Sequence, residues 1–163
     1  NATMLQNLGL VKQLAKAYRP GAYVVRIEST VELTGVATGD SCRHIFSYSG
    51  ATLEDYWTVN LDGRIRYSQN PHILRYDTSA DIAPSLLVDS PEAISKALVY
   101  GFSRCTERFP GERWSLQVTY DAQGGVPMVS MHLQDTRFAN FGQVMISPQT
   151  GTRLFRDIIE KCG

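Results

Sequence analysis

Residues 89–121, DSPEAISKALVYGFSRCTERFPGERWSLQVTYD, contain the start, the apolar periodicity and the end of a helix, followed directly by a strand. Ser90 can cap this helix, Pro91 suits its first position, and Glu92 interacts favourably with the positive end of its dipole. An apolar stripe then recurs at helical spacing: Ile94, Ala97, Leu98, Gly101, Phe102 and Cys105. The stretch predicts a helix over 91–107 that buries one face.

The strand signal begins where the helix must end. Proline lacks a backbone donor, so Phe109-Pro110-Gly111 cannot continue the helix. Large side chains then alternate with small or polar ones between Trp114 and Asp121, which predicts a strand over 113–121 with one buried and one wet face. A helix that leads directly into half-buried antiparallel sheet indicates an α+β fold.

The rest of the chain shows the same order of elements. In the first half we predict a helix over 3–18 and strands over 23–33, 42–48, 56–61 and 64–68. In the second half the predicted strands are 113–121, 128–134, 143–147 and 152–155, followed by a short closing helix over 156–161. Between the halves, only Ile73–Tyr76 and Leu86–Val88 are predicted to be extended.

Two turns in each half allow the halves to be aligned with one another. Pro20-Gly21 corresponds to Pro110-Gly111. At nearly the same spacing, Asp62-Gly63 corresponds to Thr150-Gly151. We interpret this correspondence as an internal repeat of a helix plus an antiparallel meander. The predicted units are a first repeat over 3–68, a crossover linker over 69–89 and a second repeat over 90–161.

Three segments resemble PepSY-like modules, the small bacterial extracytoplasmic units also found in metallopeptidase propeptides. SPEAI (90–94) is similar to the start of the family's helix, and GQVMISPQTGTRL (142–154) to its closing strand, turn and strand. WTVNLDGRI (57–65) matches more loosely in the first half. Ser147 departs from the pattern, since the family usually has Asp before that turn.

The resemblance implies a cystatin-like α+β fold, a bacterial extracytoplasmic setting, and no catalytic residues to transfer to this chain. A generic cystatin-like or nuclear-transport-factor-like fold outside the family fits the pattern nearly as well. Both alternatives place helices on an antiparallel sheet.

The composition is that of one globular domain, or of two small ones sharing a core: 163 residues, 43% hydrophobic and 20% charged. Sixteen basic residues balance sixteen acidic ones, so no overall field favours nucleic acid or an anionic membrane. No apolar stretch approaches the roughly 20 residues of a membrane span. Because the chain begins at Asn1 rather than Met, we expect that a signal peptide or anchor has been removed ahead of it.

The cysteines do not form a recognisable framework. Cys42, Cys105 and Cys162 are too few and too far apart for a disulfide scaffold, and no C-x-x-C motif is present for zinc or redox chemistry. The sequence favours two or three buried thiols. A disulfide between Cys105 and Cys162 remains open as the alternative, because one ends the central helix and the other ends the chain.

No residue pattern predicts catalysis, a metal or a cofactor. His44, His72 and His132 lack the close spacing of metal ligands, so we predict structural or surface roles for them. The sequence GFSRC (101–105) begins like a nucleophile elbow but lies inside the predicted helix. A solvated surface is the prediction for five carboxylates on strands and turns: Glu28, Glu32, Asp55, Asp62 and Asp135.

Aromatic side chains on strands are the most suggestive functional feature. Most should be buried, but Tyr56 is out of phase with Trp57, and Tyr23 with Val24. An outward aromatic ring with a polar tip often marks a binding surface. Tyr23 and Tyr56 are therefore the predicted binding residues.

Two hypotheses of different classes follow. The first is a non-catalytic extracytoplasmic module that binds a protein or peptide through a sheet face or a sheet edge. The alternative is a small-molecule binding or enzymatic pocket between helix and curved sheet. Nothing in the sequence indicates the oligomeric state.

Overall fold

The computed structural model describes residues 2–69 and 80–163, and for residues 37–41 it describes the backbone alone. The helices are α1 (Met4–Tyr18), α2 (Ser90–Ala97) and α3 (Ser103–Arg108), with a π-helical turn over Leu98–Phe102 between the last two. The strands are β1 (Tyr23–Val31), β2 (Ala37–Ser47), β3 (Asp55–Asn60), β4 (Ile65–Gln69), β5 (Ser115–Gln123), β6 (Val126–Gln134), β7 (Asn140–Ile146) and β8 (Arg153–Ile158). Short 3-10 turns lie at Ala83–Ser85 and Glu160–Cys162.

These eight strands form one antiparallel sheet in the order β4-β3-β2-β1-β5-β6-β7-β8. At its centre β1 pairs with β5, so that Ile27 lies opposite Tyr120 and Val31 opposite Leu116. The N-terminal half of the chain therefore builds one side of the sheet and the C-terminal half builds the other. The predicted α+β class is confirmed by this mixture of helices and antiparallel sheet.

The described helices pack on one face of the sheet. Helix α1 contacts β1, β2 and β3, whereas α2 and the π-helical turn contact β6, β7 and β8. Fully buried side chains from both halves belong to a single apolar cluster: Met4, Val11, Ile27, Phe46, Ile94, Phe102, Leu116, Tyr120 and Met131. Burial of each large apolar side chain contributes about 1.5–3 kcal/mol, so the two halves stabilise one shared core.

Helices α1 and α2 begin at one hydrogen-bonded junction. Asp89 caps α2 through the Ser90 amide at 2.6 Å, and it also accepts the Thr3 hydroxyl at 2.6 Å and the Leu5 amide at 3.1 Å. Thr3 is itself the N-cap of α1. The Ser90 hydroxyl donates to the Gly35 carbonyl at 2.8 Å. The cap of α2 is thus Asp89 and not Ser90, which was the predicted cap.

The predicted continuous helix over 91–107 is interrupted by the π-helical turn. At Gly101 an added Cβ would lie 2.9 Å from the Ile158 Cγ1, which shows how closely this turn approaches β8. Glycine permits this approach because it carries no side chain. The regular apolar spacing of the sequence contains no signal for such a turn.

The burial predicted for the apolar side chains of the central helix is observed in part. Ile94 and Phe102 are fully buried, but Leu98 is only partly buried. Helix α2 lies over β6 and β7, so it reaches the strand residues Leu116 and Val118 through the shared core.

The closing helix predicted over 156–161 is wrong. Strand β8 continues to Ile158, because Arg156 pairs with Val144 and Ile158 pairs with Gly142 in the ladder with β7. Only Glu160–Cys162 forms a helical turn, of the 3-10 type. Pairing with β7 supplies backbone hydrogen bonds that a single short helix at the chain end would lack.

Over residues 80–89, the part of the predicted linker that the structure describes beyond residue 69, one of the predicted extended segments is not a strand. Leu86–Val88 forms no strand, although the amides of Leu87 and Val88 donate to the Pro148 carbonyl at 3.0 and 2.7 Å. These bonds hold the linker beside the turn between β7 and β8. The other predicted segment, Ile73–Tyr76, lies outside the described residues.

Candidate functional site

One face of the sheet points away from the helices of residues 2–69 and 80–163, and we call it the uncovered face because none of these helices packs on it. Not every side chain on this face is open to water, since Ile45 is fully buried. Successive side chains of a strand alternate between the two faces, so the register assigns each residue to one of them. The uncovered face includes Arg26, Glu28 and Thr30 of β1, Arg43 and Ile45 of β2, Tyr56 and Thr58 of β3, Gln117, Thr119 and Asp121 of β5, and Ser130 and His132 of β6. Most of these side chains are polar, whereas the opposite face of the same strands forms the apolar core.

A chain of ion pairs crosses three adjacent strands on the uncovered face. The Arg26 Nε donates to Glu28 at 2.9 Å, and its Nη1 donates to Asp121 at 2.9 Å. The Arg43 Nη1 donates to the other oxygen of Glu28 at 3.2 Å. We call these four residues the charged chain; it connects β2, β1 and β5.

The charged chain is partly withdrawn from water. The Asp121 side chain is only 9% exposed, and this burial raises the pKa of its carboxyl group, while the neighbouring Arg26 guanidinium lowers it in partial compensation. Arg43 is the most accessible member, with 43% of its side chain exposed. Two guanidinium groups face two carboxylates, so this surface offers directional hydrogen bonds without a strong net charge.

Two neighbouring cavities lie along the seam between β1 and β5. The central cavity, of about 320 Å³, is lined by Arg26, Glu28, Ser29, Thr30, Arg43, Gln117, Val118 and Thr119. The end cavity, of about 580 Å³, is lined by Thr30, Glu32, Leu33, Thr34, Arg113, Trp114, Ser115, Asp135, Thr136 and Phe138. Thr30 lines both, so we describe them together as the β1–β5 groove.

Both predicted binding residues lie on the uncovered face. Tyr56 is opposite Ile45 in the ladder of β2 and β3, and the Arg43 guanidinium lies 5.0 Å from the centre of its ring. Tyr23 is opposite Ser47 in the ladder of β1 and β2. Both rings are half-buried, and neither lines the β1–β5 groove. The structure therefore brings the two tyrosines to the same face, beside the groove.

His44 and Cys42 form a buried pair beneath α1. The His44 Nε2 lies 3.8 Å from the Cys42 Sγ, and its Nδ1 lies 3.2 Å from the Trp57 carbonyl oxygen. Burial lowers the pKa of His44 to about 4 and raises the pKa of the Cys42 thiol to about 12. Both groups are thus neutral at pH 7, whereas an activated Cys–His pair holds a thiolate beside an imidazolium.

The other two histidines are not brought together with His44. His132 lies on the uncovered face of β6, half-buried, and burial lowers its pKa. His44 faces the helices, on the opposite side of the sheet. His72 is outside the described residues.

Cys105 and Cys162 are joined by a disulfide bond. This decides the alternative that the sequence left open, and it corrects the preference for buried free thiols at these two positions. Cys42 remains a free, buried cysteine. The disulfide ties the end of the chain beyond β8 to helix α3.

The carboxylate of Asp55 is buried, which corrects the prediction of a solvated surface position. It is 1% exposed and accepts hydrogen bonds from Arg19 and, at 2.8 Å, from the Tyr67 hydroxyl. The Arg19 guanidinium also lies 4.2 Å from the centre of the Tyr48 ring. Asp55 therefore anchors the chain just after α1 to β3 and β4.

Over residues 2–69 and 80–163, no group of three or more His, Cys, Asp or Glu side chains is arranged to hold a metal ion. Within the same ranges, no helix has both the length and the apolar character needed to cross a bilayer.

Sequence reasoning missed Arg26, Arg43 and Asp121 as members of a site. The signal that was available is the alternation of Arg26, Glu28 and Thr30 on the wet face of a strand. Opposite charges two residues apart on one face can pair, as Arg26 and Glu28 do. The contribution of Asp121 depends on the pairing of β1 with β5, which lie far apart in the chain.

Comparison of the chain with protein-family models, with curated proteins and with solved structures finds no match.

Proposed function

We propose that this chain is a non-catalytic extracytoplasmic module that binds an extended segment of a protein or peptide in the β1–β5 groove. The observation that supports this proposal best is the pair of adjacent cavities on the uncovered face, which share Thr30. From Arg26 to Glu32 the chain spans about 20 Å at strand geometry. That length suits an extended segment of about six residues.

The groups along the groove suit a peptide backbone. Gln117 and Thr119 of β5 offer amide and hydroxyl groups that both donate and accept hydrogen bonds. Arg43 adds guanidinium donors at the rim, and its contact with Tyr56 restricts its position. Restricting a side chain before binding reduces the entropy cost of association.

Addition of a strand to the β8 edge of the sheet has less support. Strand β8 lies at one end of the sheet and exposes Leu154 and Phe155 at 47% and 44%. However, its register is shifted next to Leu154, and it also carries Arg153, Arg156 and Asp157. Charges and bulges are the devices by which native edges resist further pairing.

The small-molecule alternative, a pocket between helix and sheet, also has less support. The helix-facing side chains of the central strands fill that interface: Ile27, Val31, Leu116, Val118 and Tyr120 are fully buried. A close-packed interface leaves little volume for a ligand of ordinary size.

The extracytoplasmic setting is supported by the disulfide between Cys105 and Cys162. Such bonds persist in oxidising compartments and are rare in the reducing cytosol. The thiol of Cys42 does not argue against this setting, because a buried cysteine behaves as a small apolar residue.

We also propose that the two halves are repeats related to PepSY-like modules. In each half a helix precedes four consecutive strands, and β1 and β5, the first strands of the two halves, pair with each other. This symmetry of element order supports a duplication. It supports the PepSY relationship only indirectly, since other α+β modules use the same elements.

The proposal can be tested with a peptide library displayed on phage. We expect the protein to select peptides, and Gln117→Trp, which fills the central cavity with a large ring, to weaken their binding by about tenfold or more. Gln117 is exposed on the uncovered face, so the substitution leaves the core intact. Affinity would be measured by isothermal titration calorimetry.

Gln13→Trp provides the matched control, because Gln13 is exposed on α1, on the other side of the sheet. It should bind the selected peptides as the parent protein does. Failure to select any peptide, or equal losses in both variants, would overturn the proposal.

A further inference from the structure

The end cavity carries an aromatic side chain in an unusual position. Phe138, in the turn between β6 and β7, is 72% exposed. Its φ angle is 61°, the only left-handed φ of a non-glycine residue in the described chain. Bulky residues adopt this conformation at a cost, and such strain is found at functional sites.

The turn is built to hold Phe138 in place. One oxygen of Asp135 accepts the amides of Arg137 at 2.9 Å and Ala139 at 3.0 Å, which brackets the phenylalanine. Thr136 donates its amide and its hydroxyl to Glu112 at 3.1 and 2.9 Å. The ring is therefore displayed by a hydrogen-bonded turn beside the end cavity.

The chemistry of the end cavity differs from that of the central cavity. Phe138, Leu33 and Trp114 contribute apolar surface, and Trp114 is itself packed edge-on against Phe141 with 5.0 Å between ring centres. Three charged residues line the cavity, the carboxylates Glu32 and Asp135 and the guanidinium of Arg113. The lining is thus apolar with an excess of negative charge, which favours a cation beside an apolar group.

We propose that the end cavity is the anchor pocket of the β1–β5 groove: it takes a large apolar side chain of the bound peptide, with a Lys or Arg of the peptide beside it near Glu32. This inference rests on the proposed peptide-binding function and adds the specificity. Apolar anchors that fill a pocket at an interface commonly contribute most of the binding free energy. The polar central cavity then positions the backbone of the segment.

Peptides selected by the parent protein should share a large apolar residue followed or preceded by Lys or Arg. Phe138→Gly should weaken their binding by about tenfold or more, as loss of an anchor contact does. The same variant should not lower the melting temperature, because glycine adopts a φ of 61° without strain. If Phe138 served folding alone, Phe138→Gly would lower the melting temperature and leave the affinity for the peptides unchanged.

Phe155→Thr serves as the matched control, since Phe155 is an exposed phenylalanine on the edge strand β8. It should leave affinity unchanged. Glu32→Gln should weaken the binding of peptides that carry the basic residue by several-fold. It should not change the binding of the same peptides when that residue is replaced by Gln.

The outcomes separate this inference from the proposed function. If the selected peptides bind Gln117→Trp more weakly but bind Phe138→Gly as tightly as the parent protein, the anchor-pocket proposal is overturned. The proposed binding of peptides in the groove then still stands. If Phe155→Thr loses affinity for the peptides and Phe138→Gly does not, the end cavity is not the anchor pocket, and the apolar anchor binds at the β8 edge instead. Failure to select any peptide would overturn both.

Discussion

His44 is fully buried between α1 and the sheet, and its pKa of about 4 makes the stability of the fold depend on pH. In the unfolded chain the imidazole takes up a proton near pH 6.5, whereas in the folded protein it does so only near pH 4. The unfolded state therefore binds more protons between these values. Stability should fall as the pH is lowered from 6.5 to 4, by at most about 3 kcal/mol from this residue.

Urea unfolding at pH 7 and pH 4.5 measures this effect. His44→Gln should lose most of the difference between the two pH values, because glutamine does not titrate. His132→Gln is the control and should keep more of the difference than His44→Gln does, since His132 is only half-buried on the other face and burial lowers its pKa with less desolvation than at His44. An unchanged pH dependence in His44→Gln would show that carboxyl groups alone account for it.

Asp89 joins the N-termini of α1 and α2. Asp89→Ala removes the cap of α2 together with the hydrogen bonds to Thr3 and Leu5, so it should lower the free energy of unfolding by about 2–3 kcal/mol. Asp81→Ala offers a comparison, because Asp81 is exposed and accepts a single amide, that of Ala83. Asp81→Ala should lower the free energy of unfolding by less than about 1 kcal/mol, as measured by chemical denaturation. Equal losses in Asp89→Ala and Asp81→Ala would mean that the junction at Asp89 has no special role.

At the scale of a helix, two glycines should respond oppositely to alanine. Gly9 is exposed inside α1 with open space around it, so Gly9→Ala should stabilise the protein by about 0.5–1 kcal/mol. At Gly101 a Cβ would lie 2.9 Å from Ile158 Cγ1 and 3.2 Å from Arg156 Cδ. Gly101→Ala should therefore destabilise the protein by about 1–3 kcal/mol. Thermal denaturation of both variants would test this, and a stabilised Gly101→Ala would contradict the close approach of the π-helical turn to β8.

The disulfide fastens the last element of the chain. It closes a loop of 57 residues, for which loss of unfolded-state entropy predicts a stabilisation of about 4 kcal/mol. Reduction of the parent protein should lower its midpoint of unfolding accordingly. The double variant Cys105→Ser, Cys162→Ser should be insensitive to the same reductant; a reductant effect of equal size there would exclude the disulfide as its cause.

For the molecule as a whole, local patterns predicted most elements and missed their assembly. Alternation between Trp114 and Asp121, and turn dipeptides such as Asp62-Gly63, are local signals, and each corresponds to an observed strand or hairpin. Strand β8 was predicted only as far as Phe155. Its side chains are mostly exposed and show no alternation, so its full length is apparent only from its pairing with β7. The π-helical turn and the β1–β5 pair depend on tertiary contacts that no local spacing encodes.

The candidate site was predictable to a smaller degree. Tyr56 and Tyr23 were assigned outward positions from phase alone, and the structure places both on the uncovered face. The charged chain and the two cavities arise only when β1 lies beside β5, which brings Arg26 to Asp121. Phe138 gave no signal, because its left-handed backbone is a property of the folded turn.

The central claim is that an extended segment lies in the β1–β5 groove, and amide chemical-shift mapping by NMR tests it most directly. A selected peptide would be titrated into labelled protein. We expect the largest shifts along Arg26–Glu32 of the first strand and its extension, and along Ser115–Asp121 of β5. Shifts concentrated on the β8 edge, Arg153–Ile158, or on α1, with the β1–β5 seam unchanged, would contradict the claim.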